Sequence, residues 1–254
     1  MRFDLITLFP ELFAPFLTVG ITRRAFESGQ VAVKLWNPRD YAEGNYRRVD
    51  DRPFGGGPGM VMLAEPLAAC LAAIRQDRAE ATDQQAPLVL FSPIGRTLDH
   101  TAVSQWAQSA GAVLLCGRYE GIDQRFIDAH VNAQISLGDF VLSGGEVAAM
   151  ALLDAVARLQ PGVLGDEGSH AQDSFNPALD GLLDCPHYTR PEVWQGHGVP
   201  APLLSGHHVQ IERWRRDQRL ALTARLRPDL VEAARSTGAL SSADEKVLGY
   251  NGGL

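Results

Sequence analysis

The chain has 254 residues, of which 45% are hydrophobic and 21% charged, and its formal net charge is -7. This length and composition can bury a substantial core in one large domain or two smaller ones, as expected of a soluble globular protein. The acidic balance argues against a protein whose whole surface binds nucleic acid. No apolar run approaches the roughly 20 residues that a membrane span requires.

The first residues and the cysteines predict a cytoplasmic protein. Residues Met1 to Phe9 alternate polar and apolar side chains, which is a strand pattern and not the layout of a signal peptide. Cys70, Cys116 and Cys185 lie far apart and form no Cys-x-x-Cys pair. Neither a disulfide framework nor a zinc site is therefore indicated, and a reducing compartment is expected.

Short apolar runs separated by helical patterns predict an α/β fold with a largely parallel sheet. The predicted strands are Phe3–Phe9, Val31–Trp36, Leu88–Phe91, Val113–Cys116 and Ala133–Leu137.

Helical patterns predict two longer helices in the same part of the chain. One spans Glu65–Ala81 and is closed by the residues around Thr82–Gln85, and the other runs from Gly145 to about Leu159. Before the first helix, a loop from Arg39 to Met60 is rich in charge and glycine. Loops of this length are usually functional or disordered.

The composition changes after residue 164. The stretch Gly165–Asp173 is small, polar and unpatterned, as a flexible linker should be. From Leu203 onward the pattern is helical and predicts a small C-terminal helical domain. The predicted organisation is a domain over residues 1–164, a linker over 165–174 and a second domain over 175–254.

A basic segment stands out on this acidic chain. Between His207 and Arg227 there are six arginines against two acidic residues. Arg215, Arg216 and Arg219 are close enough in a helix to share one face, which could follow a phosphate backbone. From charge alone, a solvated helix face is an equally good interpretation.

Three glycine-bearing segments follow predicted strands, at residues 91–96, 116–123 and 136–146. Ligands of α/β sheets bind at the carboxyl ends of strands, so three such loops indicate one composite pocket. Each loop taken alone could be a tight turn. The motifs of dinucleotide-binding, P-loop, nucleophile-elbow and zinc-protease sites are absent from the sequence.

Several ungapped blocks resemble the bacterial tRNA (guanine-N1)-methyltransferases of the SPOUT superfamily. The resemblance begins with two of the candidate loops, Gly117–Asp123 and Ser136–Glu146. It extends in the same order to Val49–Met60, Asp154–Arg158, Pro161–Gly165, Asp173–Phe175 and Leu182–Glu192. The similarity covers Met1 to about Arg227, and the residues after Arg227 resemble the family least.

The resemblance implies a fold that strand and helix patterns cannot reveal, a mostly parallel sheet with a deep trefoil knot. The knotted domain, residues 1–164, is expected to bind S-adenosylmethionine largely through main-chain contacts. The residues at matching positions are Leu90, Ser92, Pro93, Gly117, Tyr119, Glu120, Gly121, Leu137, Gly138, Phe140, Leu142, Gly144 and Gly145. Two departures are visible, Phe140 where tyrosine is common and Ala148 where proline is common.

The implied reaction transfers a methyl group from S-adenosylmethionine to N1 of the guanosine at tRNA position 37, 3′ of the anticodon, which supports reading-frame maintenance. Guanine N1 must lose its proton before its lone pair can attack, so a general base is required. The resemblance places Asp173 in that role, with Arg158 orienting the carboxylate or stabilising charge on O6. Without the resemblance, Asp173 could be a helix cap or linker charge and Arg158 a helix-terminal charge.

The resemblance also implies the partners. The helical domain is expected to bind tRNA, with Asp50, Arg215, Arg216 and Arg219 as substrate-binding candidates, and two chains are expected to form an obligate homodimer with the active site at their interface. The resemblance also suggests that Mg²⁺ assists the reaction, but no cluster of carboxylates identifies a metal site. No membrane partner is expected.

Two rival functions stay open at this point. The first is another knotted methyltransferase that modifies a different RNA base. The second is an RNA-binding protein without catalysis, against which the presence of both Arg158 and Asp173 argues.

Overall fold

The computed structural model describes residues 1–82, 85–165 and 170–251, and their contacts divide the chain into two compact units, Met1–Leu164 and Gly165–Leu254. Part of the predicted linker, residues 166–169, lies outside the described residues, as do residues 83–84 at the predicted end of the first long helix. Within the described ranges, no helix has the length and apolar character needed to cross a membrane.

The first unit is built on a parallel sheet, as the apolar runs predict. Five strands lie in the order β2-β1-β6-β5-β7 and every pair between neighbours is parallel, whereas β3 and β4 form a separate antiparallel pair. The strands are β1 Arg2–Ile6, β2 Ala32–Trp36, β3 Asp50–Asp51, β4 Val61–Met62, β5 Leu88–Thr97, β6 Gly111–Leu115 and β7 Ala133–Ser136.

Helices cover both faces of this sheet. They are α1 Phe13–Thr18, α2 Arg23–Glu27, α3 Ala64–Thr82, α4 His100–Ala107, α5 Gln124–His130 and α6 Glu146–Arg158, with 3-10 turns at Pro10–Leu12 and Pro38–Tyr41. Strand β6 shows why two layers are needed, because all five of its residues are buried. Ala112 and Leu114 pack in the core beneath α6, while Val113 and Leu115 pack in the core beneath α3. A parallel strand covered on both faces reads as a continuous apolar run.

The predicted elements are confirmed in their interiors and differ at some ends. Strand β1 stops at Ile6, and the side chain of Thr7 accepts a hydrogen bond from the Phe9 main chain at 3.0 Å, which turns the chain away from the sheet. Strand β5 continues to Thr97, beyond the predicted end at Phe91.

The regular elements described in the second unit are helices and one short hairpin, and residues 182–189 between them have neither helix nor strand structure. It contains β8 Val193–Trp194, β9 His197–Gly198, α7 Ala201–Leu204, α8 His208–Leu226, α9 Pro228–Ser236 and α10 Ser242–Asn251, with 3-10 turns at His170–Gln172 and Pro177–Leu179. Leu182, Leu220 and Ala234 form its buried apolar centre. The tRNA-binding role expected for this region stays a prediction.

The arginines of α8 do not form one exposed face, so that expectation is corrected. Arg219 is only 7% exposed, and its Nε donates to Asp184 at 3.3 Å. Arg216 donates to Asp180 at 2.6 Å and to Asp244 at 3.2 Å, and Arg215 donates to Glu212 at 2.7 Å. The pairs of Arg216 and Arg219 connect α8 to other segments of its unit, because a guanidinium turned inward requires carboxylate partners, whereas the Arg215–Glu212 pair lies within the helix. Substrate binding by the three arginines stays a prediction.

Asp244 is a central acceptor of this ion-pair network. Its Oδ2 atom accepts hydrogen bonds from the main chain and hydroxyl of Ser241 at 3.0 and 2.8 Å and from Arg216 at 3.2 Å. Burial alone would raise the pKa of Asp244, but hydrogen bonds from Ser241 and Arg216 outweigh burial and lower the pKa to about 2. The charged carboxylate therefore stabilises the folded unit.

We predict that Asp244→Asn lowers the free energy of unfolding by about 2 kcal/mol at pH 7. A folded-state pKa below the ordinary value means that the contribution is fully present above about pH 4 and disappears as the pH falls toward 2. Urea unfolding between pH 7 and pH 3 should show the two proteins converging at the acid end. Asp229→Asn, which neutralises an exposed carboxylate, should change the stability much less. A difference that does not depend on pH would contradict the assignment.

Candidate functional site

The three glycine-bearing segments meet around one cavity. Strands β6, β5 and β7 are neighbours in that order, and the cavity, of about 230 Å³, lies beyond the ends of β6 and β7 and beside residues 90–93 within β5. Its lining comes from residues 90–93 of β5, residues 117–122 after β6, residues 135–137 and 140–145 at and after β7, Ile127 of α5 and Ala148 of α6.

Most residues predicted to bind the cofactor line this cavity. They are Leu90, Ser92, Pro93, Gly117, Tyr119, Glu120, Gly121, Leu137, Phe140, Leu142, Gly144 and Gly145. Gly138 is not among the lining residues; its carbonyl instead accepts from the Phe140 main chain at 2.9 Å and shapes the same loop. Cofactor binding by the predicted residues stays a prediction.

Arg118 and Ser143 line the cavity as well, although sequence reasoning assigned neither. Both residues lie inside the blocks that resemble the family, Gly117–Asp123 and Ser136–Glu146. Their position in these blocks is the sequence signal that could have identified them. The other lining residues that the prediction did not name are Phe91, Ile122, Ile127, Ile135, Ser136, Val141 and Ala148.

Strand β5 makes an excursion from the sheet beside the cavity. Phe91 and Arg96 both pair with Ile135, so the residues between them leave the sheet. Gly95 closes this excursion against the neighbouring strand. A Cβ atom there would lie 2.5 Å from the Ile135 nitrogen, so glycine is required. Ser92 and Pro93 face the cavity as a result.

The segment after β7 packs directly on the segment after β6. The Gly145 main chain donates to the Gly117 carbonyl at 3.0 Å, and Arg118 and Gly144 form an isolated antiparallel bridge. A Cβ atom on Gly145 would lie 2.7 Å from the Cys116 Cα atom, which is closer than real Cβ atoms approach. The glycine pair therefore allows two main chains to come into contact.

The long glycine-rich loop before α3 also contacts the segment after β6. The Glu120 main chain donates to the Met60 carbonyl at 3.0 Å, and the Met62 main chain donates to the Gly121 carbonyl at 2.9 Å. Met62 and Ile122 also form a parallel bridge. The loop from Arg39 to Met60 thus ends beside the cavity, and its β3 strand pairs with β4.

Tyr119 connects the cavity to Asp50. Its backbone is left-handed, with φ of 62°, in a region that non-glycine residues rarely occupy. Burial raises the pKa of Tyr119, and a hydrogen bond to Asp50 raises it further. The phenol therefore keeps its proton at neutral pH and can donate to the Asp50 carboxylate. Asp50, predicted to bind guanine, is not among the lining residues but contacts one of them, Tyr119.

The predicted catalytic residues lie one in each unit. Arg158 is half-buried in the last turn of α6, where a positive charge also favours the helix dipole. Asp173 is half-buried and follows the 3-10 turn His170–Gln172, and its carbonyl accepts from the Asn176 main chain at 3.2 Å. Asn176 is the residue that caps the next turn, with its side chain accepting from Ala178. Catalysis by Arg158 and Asp173 stays a prediction.

The second unit exposes aromatic side chains in and near the segment Leu182–Glu192. His187 lies 2.9 Å from Asp184 and is exposed. The Tyr188 ring packs edge-on against Trp214 at 6.1 Å between centroids. Trp194, in the β8–β9 hairpin, is also exposed. Exposed aromatic faces of this kind can stack on unpaired bases.

Comparisons with known proteins identify relatives along the whole chain. The family model described as tRNA (Guanine-1)-methyltransferase TrmD matches residues 1–233. A tRNA (guanine-N(1)-)-methyltransferase of Paracidovorax citrulli is 76% identical over 254 residues and covers 100% of both chains. Proteins of the same name from Albidiferax ferrireducens and Bordetella parapertussis are 74% and 58% identical; each covers 98% of this chain, and this chain covers 98% and 96% of them.

We predict that Gly145→Ala destabilises the first unit by about 1 to 3 kcal/mol, because main-chain atoms cannot yield to the added methyl group as a flexible side chain can. Gly117→Ala is the matched control from the same cavity. Its Cβ atom would lie 3.4 Å from the flexible Ile122 side chain, so stability should hardly change. Thermal unfolding of both variants tests the prediction, and equal stabilities would contradict the contact between the two segments.

Proposed function

The chain belongs to the family of tRNA (guanine-1)-methyltransferases, and from this premise we propose how its residues carry out the reaction. The protein transfers a methyl group to N1 of the guanosine at tRNA position 37, the reaction known for this family. S-adenosylmethionine is the methyl donor that the family implies. The observation that carries the assignment is the family match over nearly the whole chain, together with a glycine-lined cavity at the strand ends.

The cavity suits an adenosine-bearing cofactor. Leu90, Leu137 and Phe140 supply apolar surface for a flat base, and Gly117 and Gly121 leave main-chain groups open to close approach. The remaining predicted residues complete the proposed binding set: Ser92, Pro93, Tyr119, Glu120, Gly138, Leu142, Gly144 and Gly145. Phe140 keeps an aromatic wall but offers no hydroxyl. When bound, S-adenosylmethionine supplies an electrophilic methyl group on a sulfonium centre.

Asp173 is the proposed general base. Its carboxylate accepts the proton from guanine N1, which frees the N1 lone pair to form the new bond to the methyl carbon. Arg158 is proposed to stabilise the negative charge that develops on O6 as N1 loses its proton, or to orient the carboxylate. The products are 1-methylguanosine in tRNA and S-adenosylhomocysteine.

A trefoil knot around the cavity is also proposed. The segments after β6 and β7 lie main chain against main chain, and α6 begins directly after that contact. This arrangement is compatible with threading of the chain near the cofactor.

A homodimer whose active site lies at the subunit interface is proposed as well. Near the cavity, Ile94 and Val141 are 83% and 82% exposed, and such apolar side chains are suited to contact with a second chain.

The tRNA substrate follows from the family. Asp50 is proposed to accept hydrogen bonds from the target guanine, since its carboxylate is an acceptor and it contacts Tyr119 beside the cavity. Of the arginines proposed to contact tRNA, Arg215 is the most accessible, because 38% of its side chain is exposed, against 20% for Arg216 and 8% for Arg219. The same substrate supports the proposal of a cytoplasmic enzyme and of residues 175–254 as a tRNA-binding domain.

An assisting Mg²⁺ ion remains a proposal without a site. Across the described parts of the chain, no group of three or more histidine, cysteine or acidic residues could hold a metal ion.

Both rival functions lose support. The family model and the relatives compared above are described by guanine-1 or guanine-N1 methylation of tRNA, which favours the proposed reaction over both rivals.

We predict that the purified protein, incubated with labelled S-adenosylmethionine and unmodified tRNA, places the label in 1-methylguanosine. Nucleoside analysis after digestion identifies the product. A matched tRNA with adenosine in place of the guanosine 3′ of the anticodon should receive no label. Label in any other nucleoside would contradict the proposed substrate atom.

We predict that Asp173→Asn lowers the rate of methyl transfer by at least about 100-fold, because the amide cannot accept the N1 proton. Binding of S-adenosylmethionine, measured by calorimetry, should stay close to that of the wild type, since the side-chain shape is kept. Asp229→Asn neutralises an exposed carboxylate in the same unit and should leave turnover unchanged. Wild-type turnover in Asp173→Asn would remove this residue from the mechanism.

A further inference from the structure

Glu146 is a buried charged residue at the start of α6. It is 1% exposed, and its Oε1 atom accepts a hydrogen bond from the Thr7 hydroxyl at 2.8 Å. Its Oε2 atom lies 2.9 Å from Nη2 of Arg118. A carboxylate this deeply buried is costly unless it is paired, so the contact with Arg118 is required for the charge to remain.

Arg118 links this carboxylate to both cofactor loops. It belongs to the segment after β6 and lines the cavity, and its Nη1 donates to the Ser143 carbonyl in the segment after β7 at 3.2 Å. Its guanidinium also lies over the Phe9 ring, 4.4 Å from the centroid. The side chain therefore contacts two parts of the chain that are distant from it in sequence, Phe9 and the stretch from Ser143 to Glu146.

Close packing fixes the position of this guanidinium. A Cβ atom on Gly144 would collide with Nε, Cδ and Cζ of Arg118, so the glycine makes room for the arginine. Within the described structure, Nε of Arg118 and Oε2 of Glu146 are buried and have no hydrogen-bond partner, so the 2.9 Å contact between Glu146 and Arg118 is an ion pair without hydrogen-bond geometry. A buried donor without a partner is unfavourable, so the ion pair with Glu146 and the bond to Ser143 must outweigh it.

We propose that Glu146 and Arg118 are a positioning pair that holds the two cofactor loops in the shape that binds S-adenosylmethionine. Glu146 anchors the guanidinium from below, and Arg118 holds the carbonyl of Ser143 against the segment that carries Gly117 and Tyr119. Neither residue takes part in proton or methyl transfer. The inference rests on the proposed function, because it concerns the cofactor of that reaction.

The same unit contains a buried ion pair that serves as an internal comparison. Asp4 is fully buried, and its carboxylate accepts from Arg78 at 2.6 Å and from the Trp36 indole at 2.8 Å. These partners lie on β1, β2 and α3, and none of them lines the cavity. Asp4→Asn and Glu146→Gln therefore neutralise comparable carboxylates, but only the second is joined to the cofactor loops.

The experiment measures S-adenosylmethionine binding by calorimetry and thermal unfolding for the wild type and both variants. We expect both variants to lose thermal stability. Glu146→Gln should raise the Kd for S-adenosylmethionine by about tenfold or more, whereas Asp4→Asn should change it by less than about twofold. In steady-state assays, Glu146→Gln should raise the KM for S-adenosylmethionine and leave the KM for tRNA unchanged.

Arg118→Lys is the second variant, and it tests the positioning role of the pair if Glu146→Gln does not fold. Lysine keeps a positive charge opposite Glu146 but lacks the planar fork that reaches Ser143 at the same time, so weakened cofactor binding is expected. If both variants bind S-adenosylmethionine as the wild type does, the pair serves stability alone and the inference is wrong. If the wild type itself does not bind S-adenosylmethionine, the proposed cofactor site is wrong, which is a different result from a failure of the positioning pair.

Discussion

Contact between two main-chain segments is the constraint on which the cavity depends. Strand β5 lies between β6 and β7 in the sheet, yet the Gly145 main chain donates to the Gly117 carbonyl at 3.0 Å. The segment after β7 must therefore cross over the region where β5 leaves the sheet. Leu90, Ser92 and Pro93 lie along that part of β5 and line the enclosed space. The cavity thus follows from the sheet order and from one close approach that glycine allows.

Much of the first unit could be predicted from sequence, because its strands are buried on both faces and read as short apolar runs. Strand β6 and helix α6 are examples, as their interiors match the predicted segments. The end of β1 could not be predicted, since a hydrogen bond from the Phe9 main chain to the Thr7 side chain turns the chain. The continuation of β5 to Thr97 was equally hidden, because it depends on renewed pairing with β7 after an irregular excursion. Pairing with a distant strand leaves no local pattern in the sequence.

The sequence predicted which loops form the candidate site, but it did not predict the side-chain contacts within them. Glycines after strands are visible in the sequence, and resemblance to a family adds positions such as Leu90 and Phe140. Arg118 could not be assigned in this way, because its importance comes from a carboxylate 28 positions later in the chain. Arg219 shows the opposite error. Helical spacing suggested an exposed face, but Asp184 holds this side chain inside its unit.

Charge count alone is therefore a poor guide to nucleic-acid binding, and pairing decides which arginines are available. Arg216 and Arg219 are held by carboxylates within the second unit, and Arg118 is held by Glu146 within the first. Each pair joins segments that are distant in sequence. Buried pairs often contribute less to net stability than well-packed apolar residues would, but breaking one leaves an uncompensated charge. Such a pair therefore restricts the arrangement of the segments that it joins. At the cavity, that restriction acts on the two loops whose spacing determines what can bind.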